Sequence, residues 1–274
     1  MYKKIVFSLI LTFLMALSGL SYGDSRAQAI YKRILKSGVK KGKAIAKTAD
    51  EMDIGFKDQQ SIMRMVLIDA SGGKTTRIMA TKRLEQKSDG DKSVFIFKKP
   101  NDIKGIGLLT FEHKRKSDEQ WLYLPASGRL KKISSDNKSG SFQGSEFSYE
   151  DLGTTEIEKY RYKYQEDGKF DGQDCFILIR YPTERSSGYS KQVSWVRKDN
   201  FQPLKVEYYD RKNEHLKTLL FKRYKKLKGK YWRAYYMDME NVQTGKRTTL
   251  TMINLRIGTG LSKDRFTTRA LKRS

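Results

Sequence analysis

The stretch WLYLPASGRLKKISSDNKSGSFQGSEFSYED, residues Trp121 to Asp151, decides how the chain is read. Trp121-Leu122-Tyr123-Leu124 is an apolar run stopped by Pro125, which lacks an amide donor and restricts the residue before it. Ala126-Ser127-Gly128 has turn chemistry, and Arg129-Leu130-Lys131-Lys132-Ile133 alternates basic with apolar, as a half-buried strand does. The two runs form a β-hairpin. Ser134 to Gly144 is then polar and glycine-containing, before Phe147-Ser148-Tyr149 restores the alternation and Glu150-Asp151 follows. A long polar segment between strands reads as a surface loop, and such loops often carry function.

The same two-residue period extends outward. Ile62–Ile68 and Thr75–Arg83 read as strands around the turn Ala70-Ser71-Gly72-Gly73-Lys74. Lys92–Phe97 and Ile106–Phe111 precede the hairpin. Ile157–Tyr164, Asp174–Tyr181, Tyr189–Arg197, Pro203–Tyr209, His215–Tyr224, Tyr231–Met239 and Arg247–Ile257 follow it. About a dozen strands at short spacing predict a large antiparallel sheet. Val94-Phe95-Ile96-Phe97, Trp121–Leu124 and Phe176–Ile179 are apolar at consecutive positions, so both faces of that sheet should be partly covered. Ser25–Leu35 places Ala27, Ile30, Tyr31, Ile34 and Leu35 at helical spacing, with Ser25 as expected cap and Gly38 as stop. Lys40–Lys47 reads as a basic connector. Ser262–Lys272 reads as a short terminal helix capped by Ser262 and anchored by Phe266 and Leu271.

The first residues are a separate matter. Lys3-Lys4, the apolar run Ile5–Leu17 and the small residues of Ser21-Tyr22-Gly23 predict a secretory signal peptide, cleaved near Gly23-Asp24. The apolar run is short for a membrane span. The expected division is residues 1–23 as signal peptide, 24–57 as helix and basic connector, and 58–274 as one β domain. The net charge of +25 includes Lys3 and Lys4 of the leader. In an exported protein such a charge points to anionic membrane or glycan surfaces rather than to nucleic acid. Lysines covering exposed sheet edges account for it equally well. With Cys175 as the one cysteine, no intrachain disulfide is possible, and its apolar surroundings make it a buried hydrophobe.

Catalytic patterns are missing. The two histidines, His113 and His215, sit among charged residues and are expected on the surface, so no zinc spacing exists. No nucleophile elbow is found. Glu146, Glu150 and Asp151 cluster, which a glycosidase pair would require, but they read as solvated or salt-bridged. No enzyme activity, cofactor or metal is expected. The abundant aromatic residues supply large apolar surface with polar tips, suited to strands or to an apolar cavity. Phe95, Phe97, Leu109, Trp121, Tyr123, Tyr160, Tyr162 and Trp195 are the candidates for contact with acyl chains. Lys131, Lys132, Asn137 and Lys138 are the candidates for contact with a headgroup or partner.

WLYLPASGRLKKISSDNKSGSFQGSEFSYEDL, with Lys92–Phe97, Pro100–Gly105, Tyr189-Ser190-Lys191 and Trp195, resembles the signature of the bacterial outer-membrane lipoprotein-sorting family, the group similar to the periplasmic carrier LolA. The likeness covers roughly residue 60 to the C-terminus. It implies a mainly β (α+β) fold: an antiparallel sheet curled into an unclosed half barrel, with a helix over its apolar concave face. It further implies a monomeric periplasmic carrier of lipoprotein acyl chains or other lipids. Such carriers are associated with inner-membrane exporters of the resistance-nodulation-division type. The competing expectation is a periplasmic scaffold that docks on anionic glycan or membrane.

Overall fold

The computed structural model describes residues 23–273. The expected leader lies outside the described residues except for Gly23. Thirteen strands form one antiparallel sheet. They are β1 (Asp58–Ile68), β2 (Lys74–Leu84), β3 (Lys92–Lys99), β4 (Gly107–Phe111), β5 (Glu119–Leu124), β6 (Arg129–Ile133), β7 (Tyr160–Phe170), β8 (Gln173–Pro182), β9 (Tyr189–Arg197), β10 (Pro203–Asp210), β11 (His215–Leu227), β12 (Tyr231–Asn241) and β13 (Arg247–Ile257).

Their order is β6-β5-β4-β3-β2-β1-β13-β12-β11-β10-β9-β8-β7. The chain therefore starts mid-sheet, meanders to the edge at β6, crosses to the opposite edge at β7, and meanders back until β13 pairs with β1. The edges β6 and β7 do not pair, so the barrel stays open. Curling is nonetheless strong. One apolar cluster combines Met63 and Met65 of β1, Phe97 of β3 and Leu108 of β4 with Tyr208 of β10 and Leu219 of β11. Both edges carry exposed charge, Arg129, Lys131 and Lys132 on β6 and Arg161 and Lys163 on β7, which discourages pairing with another chain.

Two helices lie against the sheet. Helix α1 (Ser25–Lys36) is capped by Asp24, not by the expected Ser25: the Asp24 carboxylate accepts the amides of Arg26 and Ala27 at 3.2 and 3.4 Å. Lys226 approaches its other oxygen at 2.9 Å, which fixes that carboxylate in place. The stretch expected as a basic connector is part of helix α2 (Lys41–Asp53). Its lysines mask an apolar stripe in which Gly42, Ile45, Thr48 and Met52 are buried. Ala27, Ile45 and Met52 pack on Phe176, Leu178, Val196 and Phe201 of the inner face. Arg26 donates to the Met52 and Glu51 carbonyls, so α1 satisfies the otherwise open end of α2.

The opposite face has its own cover. Val94, Ile96 and Leu109 pack against Phe266 and Leu271, with Trp121, Tyr123 and Leu130 around them. Leu271 belongs to α3 (Thr268–Lys272), whose cap is Thr267; Ser262 instead accepts the Asp264 amide in a separate turn. A Cβ on Gly107 would stand 2.6 Å from the end of the Leu271 side chain, which would have to shift to admit it.

The expected polar loop, 134–144, is mostly exposed, with Lys138 and Phe142 buried, and the chain turns inward from Phe142. Residues 142–152 cross the inside of the trough as a plug. Phe142 is completely buried and stacks on Phe97 at 5.6 Å between ring centroids, with Tyr149 edge-on at 5.7 Å. Phe147, Tyr149 and Leu152 join the same cluster. Polar anchors hold this plug: Lys217 donates to the Glu146 carbonyl at 2.8 Å, Glu146 donates its amide to Thr248 at 3.0 Å, and Asn241 donates to the Glu146 carboxylate at 2.8 Å. The sequence looked polar there because these partners lie far along the chain.

Candidate functional site: a half-plugged trough

The plug fills one end of the curved interior with the chain's own side chains. The rest stays open as a cavity of about 530 Å³, within the roughly 300–1,000 Å³ usual for ligand pockets. Helix α2 contributes Ala46, Ala49, Asp50 and Asp53 to one wall. Two alanines leave space where larger residues would fill it. Phe95, Tyr160, Tyr162, Leu178, Val206, Met237 and Met252 give the sheet wall its apolar surface, and Phe147 and Leu152 of the plug close the end.

The helical wall is fastened at its C-terminal end. Arg233 of β12 donates Nε to Gln59 at 2.7 Å and Nη1 to Asp53, and Lys230 reaches the Ile54 carbonyl at 2.9 Å. At the other end Gly42 lies against β7, and a Cβ there would meet the Tyr164 backbone nitrogen at 2.5 Å.

A polar row crosses the apolar wall. Tyr162, Arg180, Gln192 and Tyr208 are successive register partners on β7, β8, β9 and β10, and Lys217 of β11 stands opposite Tyr208. Directly opposed side chains on one face are close enough to interact. Arg180 donates Nε to the Gln192 side-chain oxygen and Nη1 to Thr155 at 2.8 Å, and it lies over the Tyr160 ring at 5.0 Å. Lys217 pairs with Asp151 at 2.6 Å, and Tyr189 donates to the same carboxylate at 2.8 Å.

Several carboxyls on the cavity wall are electrically unusual. Glu112 is only 2% exposed and accepts the Thr154 amide at 3.0 Å and the Thr154 hydroxyl. Burial raises its carboxyl to about 7, against the lowering influence of Arg83. Burial and the neighbouring Asp151 raise Glu150 to about 7 as well, although the Gly188 amide and the Ser187 hydroxyl hydrogen-bond to it. Asp50, exposed at the cavity wall, rises to about 6 through partial desolvation by the surrounding protein and the nearby Glu158 and Asp53. Of the acidic group read as solvated or salt-bridged, Asp151 is salt-bridged, and Glu150 is hydrogen-bonded and largely desolvated. His113 is likewise not on the surface, its Nδ1 lying 2.6 Å from Asp89. Among the described residues no group of three or more His, Cys, Asp or Glu is placed to hold a metal ion.

The sequence candidates divide by face. Phe95, Tyr160 and Tyr162 line the cavity. Phe97 is on the inner face but packed under Phe142, away from the open space. Leu109, Trp121 and Tyr123 belong to the opposite face beneath the C-terminal segment. Trp195 is register partner to Lys205, whose ammonium lies 3.4 Å from its ring centroid, and it does not line the cavity. Lys131, Lys132 and Asn137 are exposed, whereas Lys138 is 6% exposed and outside the cavity lining. Arg180, Gln192, Glu112 and the two alanines of α2 were not singled out. A signal for Arg180 was present: it shares strand parity with Phe176 and Leu178 and so points inward.

This architecture, an unclosed antiparallel sheet wrapped around an apolar cavity beneath helices, is that of the LolA superfamily. A LolA superfamily protein from Nitrosomonas europaea superposes with a TM-score of 0.68 at 18% identity, covering 84% of this chain and 98% of that one. The chain belongs to the DUF1329 family. An outer membrane lipoprotein-sorting protein domain from Vibrio parahaemolyticus is 50% identical, with a TM-score of 0.83 over 85% of this chain and 99% of that one. A DUF1329 family protein from Desulfovibrio piger is 30% identical, with a TM-score of 0.78 over 90% of this chain and all (100%) of that one. A family model described as an uncharacterized protein matches residues 89–273. A comparison with the curated proteins returned no match.

Proposed function

We propose that this protein is a non-enzymatic periplasmic carrier that shelters acyl chains of lipoproteins or other lipids and passes them between membrane partners. The observation that carries the reading is the apolar space left open between α2, the inner sheet wall and the plug. Removing acyl chains from water there is favourable by roughly 0.8 kcal/mol per CH₂, so such a carrier requires dry surface and no reacting group. Similarity to a domain described as outer-membrane lipoprotein-sorting supports the same reading, as does the expected export signal. Tails would enter from a donor, an inner-membrane exporter of the resistance-nodulation-division type being the expected one, and leave to an acceptor that binds them more tightly.

The test is mass spectrometry of organic extracts from protein purified without detergent. Acyl lipid is expected at close to one per chain, and a fluorescent fatty acid should compete for the same space. Protein that carries no lipid and takes up none would overturn the reading.

A second reading, docking on anionic glycan or membrane, is favoured by the β11–β12 hairpin. Lys222, Arg223, Lys225, Lys226 and Lys228 are exposed there, and no acidic residue interrupts residues 222–233. Docking of that kind weakens steeply with ionic strength, whereas uptake of acyl chains does not.

A further inference from the structure

In the polar row across the inner wall, the charge of Arg180 has no counter-ion. Its Nε and Nη1 are satisfied by neutral groups, Gln192 and Thr155, and among the described residues no carboxylate forms an ion pair with it. Three other cations near the cavity are answered: Arg83 pairs with Asp91 at 2.7 Å, Arg233 with Asp53, and Lys217 with Asp151. Nor are the plug carboxylates Glu150 and Asp151, on the same cavity wall, free for Arg180. Asp151 is taken by Lys217 and Tyr189, and Glu150 by Ser187 and Gly188. Beside Arg180, its register partner Tyr162 has a buried hydroxyl without a hydrogen-bond partner.

A cation left without a partner in a mostly apolar cavity, next to an unused hydroxyl, is arranged for an anion that the chain does not supply. The guanidinium fork fits planar carboxylate and tetrahedral phosphate alike, and charge-assisted bonds to it are the strong ones. Leu178 and Val196, on the same cavity wall, and the Tyr160 ring under the guanidinium give the attached tails an apolar path.

We propose that Arg180 and the Tyr162 hydroxyl form a subsite for the anionic head group, carboxylate or phosphate, of a lipid whose tails occupy the cavity. The subsite deepens the carrier reading and rests on it. It assigns the guest to anionic amphiphiles, in preference to acyl chains with uncharged heads.

The test uses the full chain stripped of bound lipid. Titration calorimetry with palmitate, lysophosphatidylglycerol and uncharged hexadecanol compares heads on similar tails. The wild type is expected to bind at least one anionic probe roughly tenfold or more tighter than hexadecanol. The better of the two anionic probes identifies the head as carboxylate or phosphate. Arg180→Met should bring anionic and neutral probes to within about twofold, with hexadecanol still bound measurably, which also shows that the cavity is still formed. Arg180→Lys should restore part of the preference, and Tyr162→Phe should lose part of it. Equal binding of anionic and neutral probes by the wild type, or a preference that survives in Arg180→Met, would overturn the subsite while leaving the carrier reading in place. Failure of all three probes to bind the wild type would overturn both.

Discussion

Lys217 and Asp151 meet inside the trough, Nζ to Oδ2 at 2.6 Å, with side chains only 5% and 4% exposed. Lys217 projects inward from β11, and Asp151 belongs to the plug, so this pair fastens the crossing segment to the sheet. The Ser148 amide donates to the same carboxylate oxygen at 2.7 Å and Tyr189 to the other. Removing one partner leaves a buried charge uncompensated, at a cost of about 3–5 kcal/mol. Lys217→Met alone should lower the urea midpoint by that equivalent, and Lys217→Met with Asp151→Asn should recover a large share. Equal stability of Lys217→Met and wild type would show that the plug is held by other contacts.

Helix α2 approaches β7 through Gly42, where an added Cβ would meet the backbone of Lys163 and Tyr164 at 2.5–2.8 Å. Backbone cannot swing aside as a flexible side chain can. Gly42→Ala should therefore push α2 off the sheet and cost about 1–3 kcal/mol, although alanine is the better helix former by about 1 kcal/mol. Faster amide exchange along α2 is the accompanying expectation. A Gly42→Ala protein more stable than wild type would mean that the helix is not seated this closely.

The buried carboxyls set a pH dependence of definite sign. Glu112 has an ordinary value of 4.5 and is raised by burial to about 7. Between these values the folded protein holds a proton that the unfolded chain has released. Stability from this group is complete below about 4.5 and is lost as pH rises through about 7. The loss is on the order of 3 kcal/mol, from about 1.4 kcal/mol per pH unit. Glu150, also near 7, slopes the same way. The melting temperature should fall from pH 5 to pH 8, and Glu112→Gln should flatten part of that fall. Asp24 and Asp58, lowered despite their burial by hydrogen bonds, act in the opposite sense, but only in the acid range below this window. An unchanged slope in Glu112→Gln would show that Glu112 is ionised throughout.

Ala49 leaves room on the helical wall of the cavity. Ala49→Trp should occupy that space and reduce co-purified lipid roughly tenfold, with the fold intact because the new bulk enters a void rather than a packed core. Extraction and mass spectrometry alongside a thermal melt check both halves. Undiminished lipid in Ala49→Trp would place the guest elsewhere.

Strand positions were legible because a two-residue period survives in nearly every segment; β9 and β13 run over the residues the alternation marks, Tyr189–Arg197 and Arg247–Ile257. Which way each strand faces was not. Both faces of this sheet carry apolar side chains, one toward the trough and one toward the C-terminal cover, so Leu108 and Leu109 look equivalent in sequence yet belong to different clusters. Phe95 and Phe97 share a face, and only the position of Phe142 decides that one meets open space and the other does not. The plug was hidden for a related reason: Gln143 and Glu146 sit in a polar stretch, and their seating depends on Arg77, Lys217, Asn241 and Thr248, all distant in the chain. Helix α2 was obscured by lysines that sit on its outer side.

One consequence follows from a barrel wall and a filler supplied by different parts of one polypeptide. The thirteen strands owe their pairing to backbone ladders that are indifferent to how far residues 134–159 reach inward. Shortening or lengthening that single connection would enlarge or shrink the guest chamber without rewriting the wall. Relatives could therefore diverge in the size of molecule they accommodate while keeping the same shell, and variation in guest preference should concentrate between the two unpaired rims.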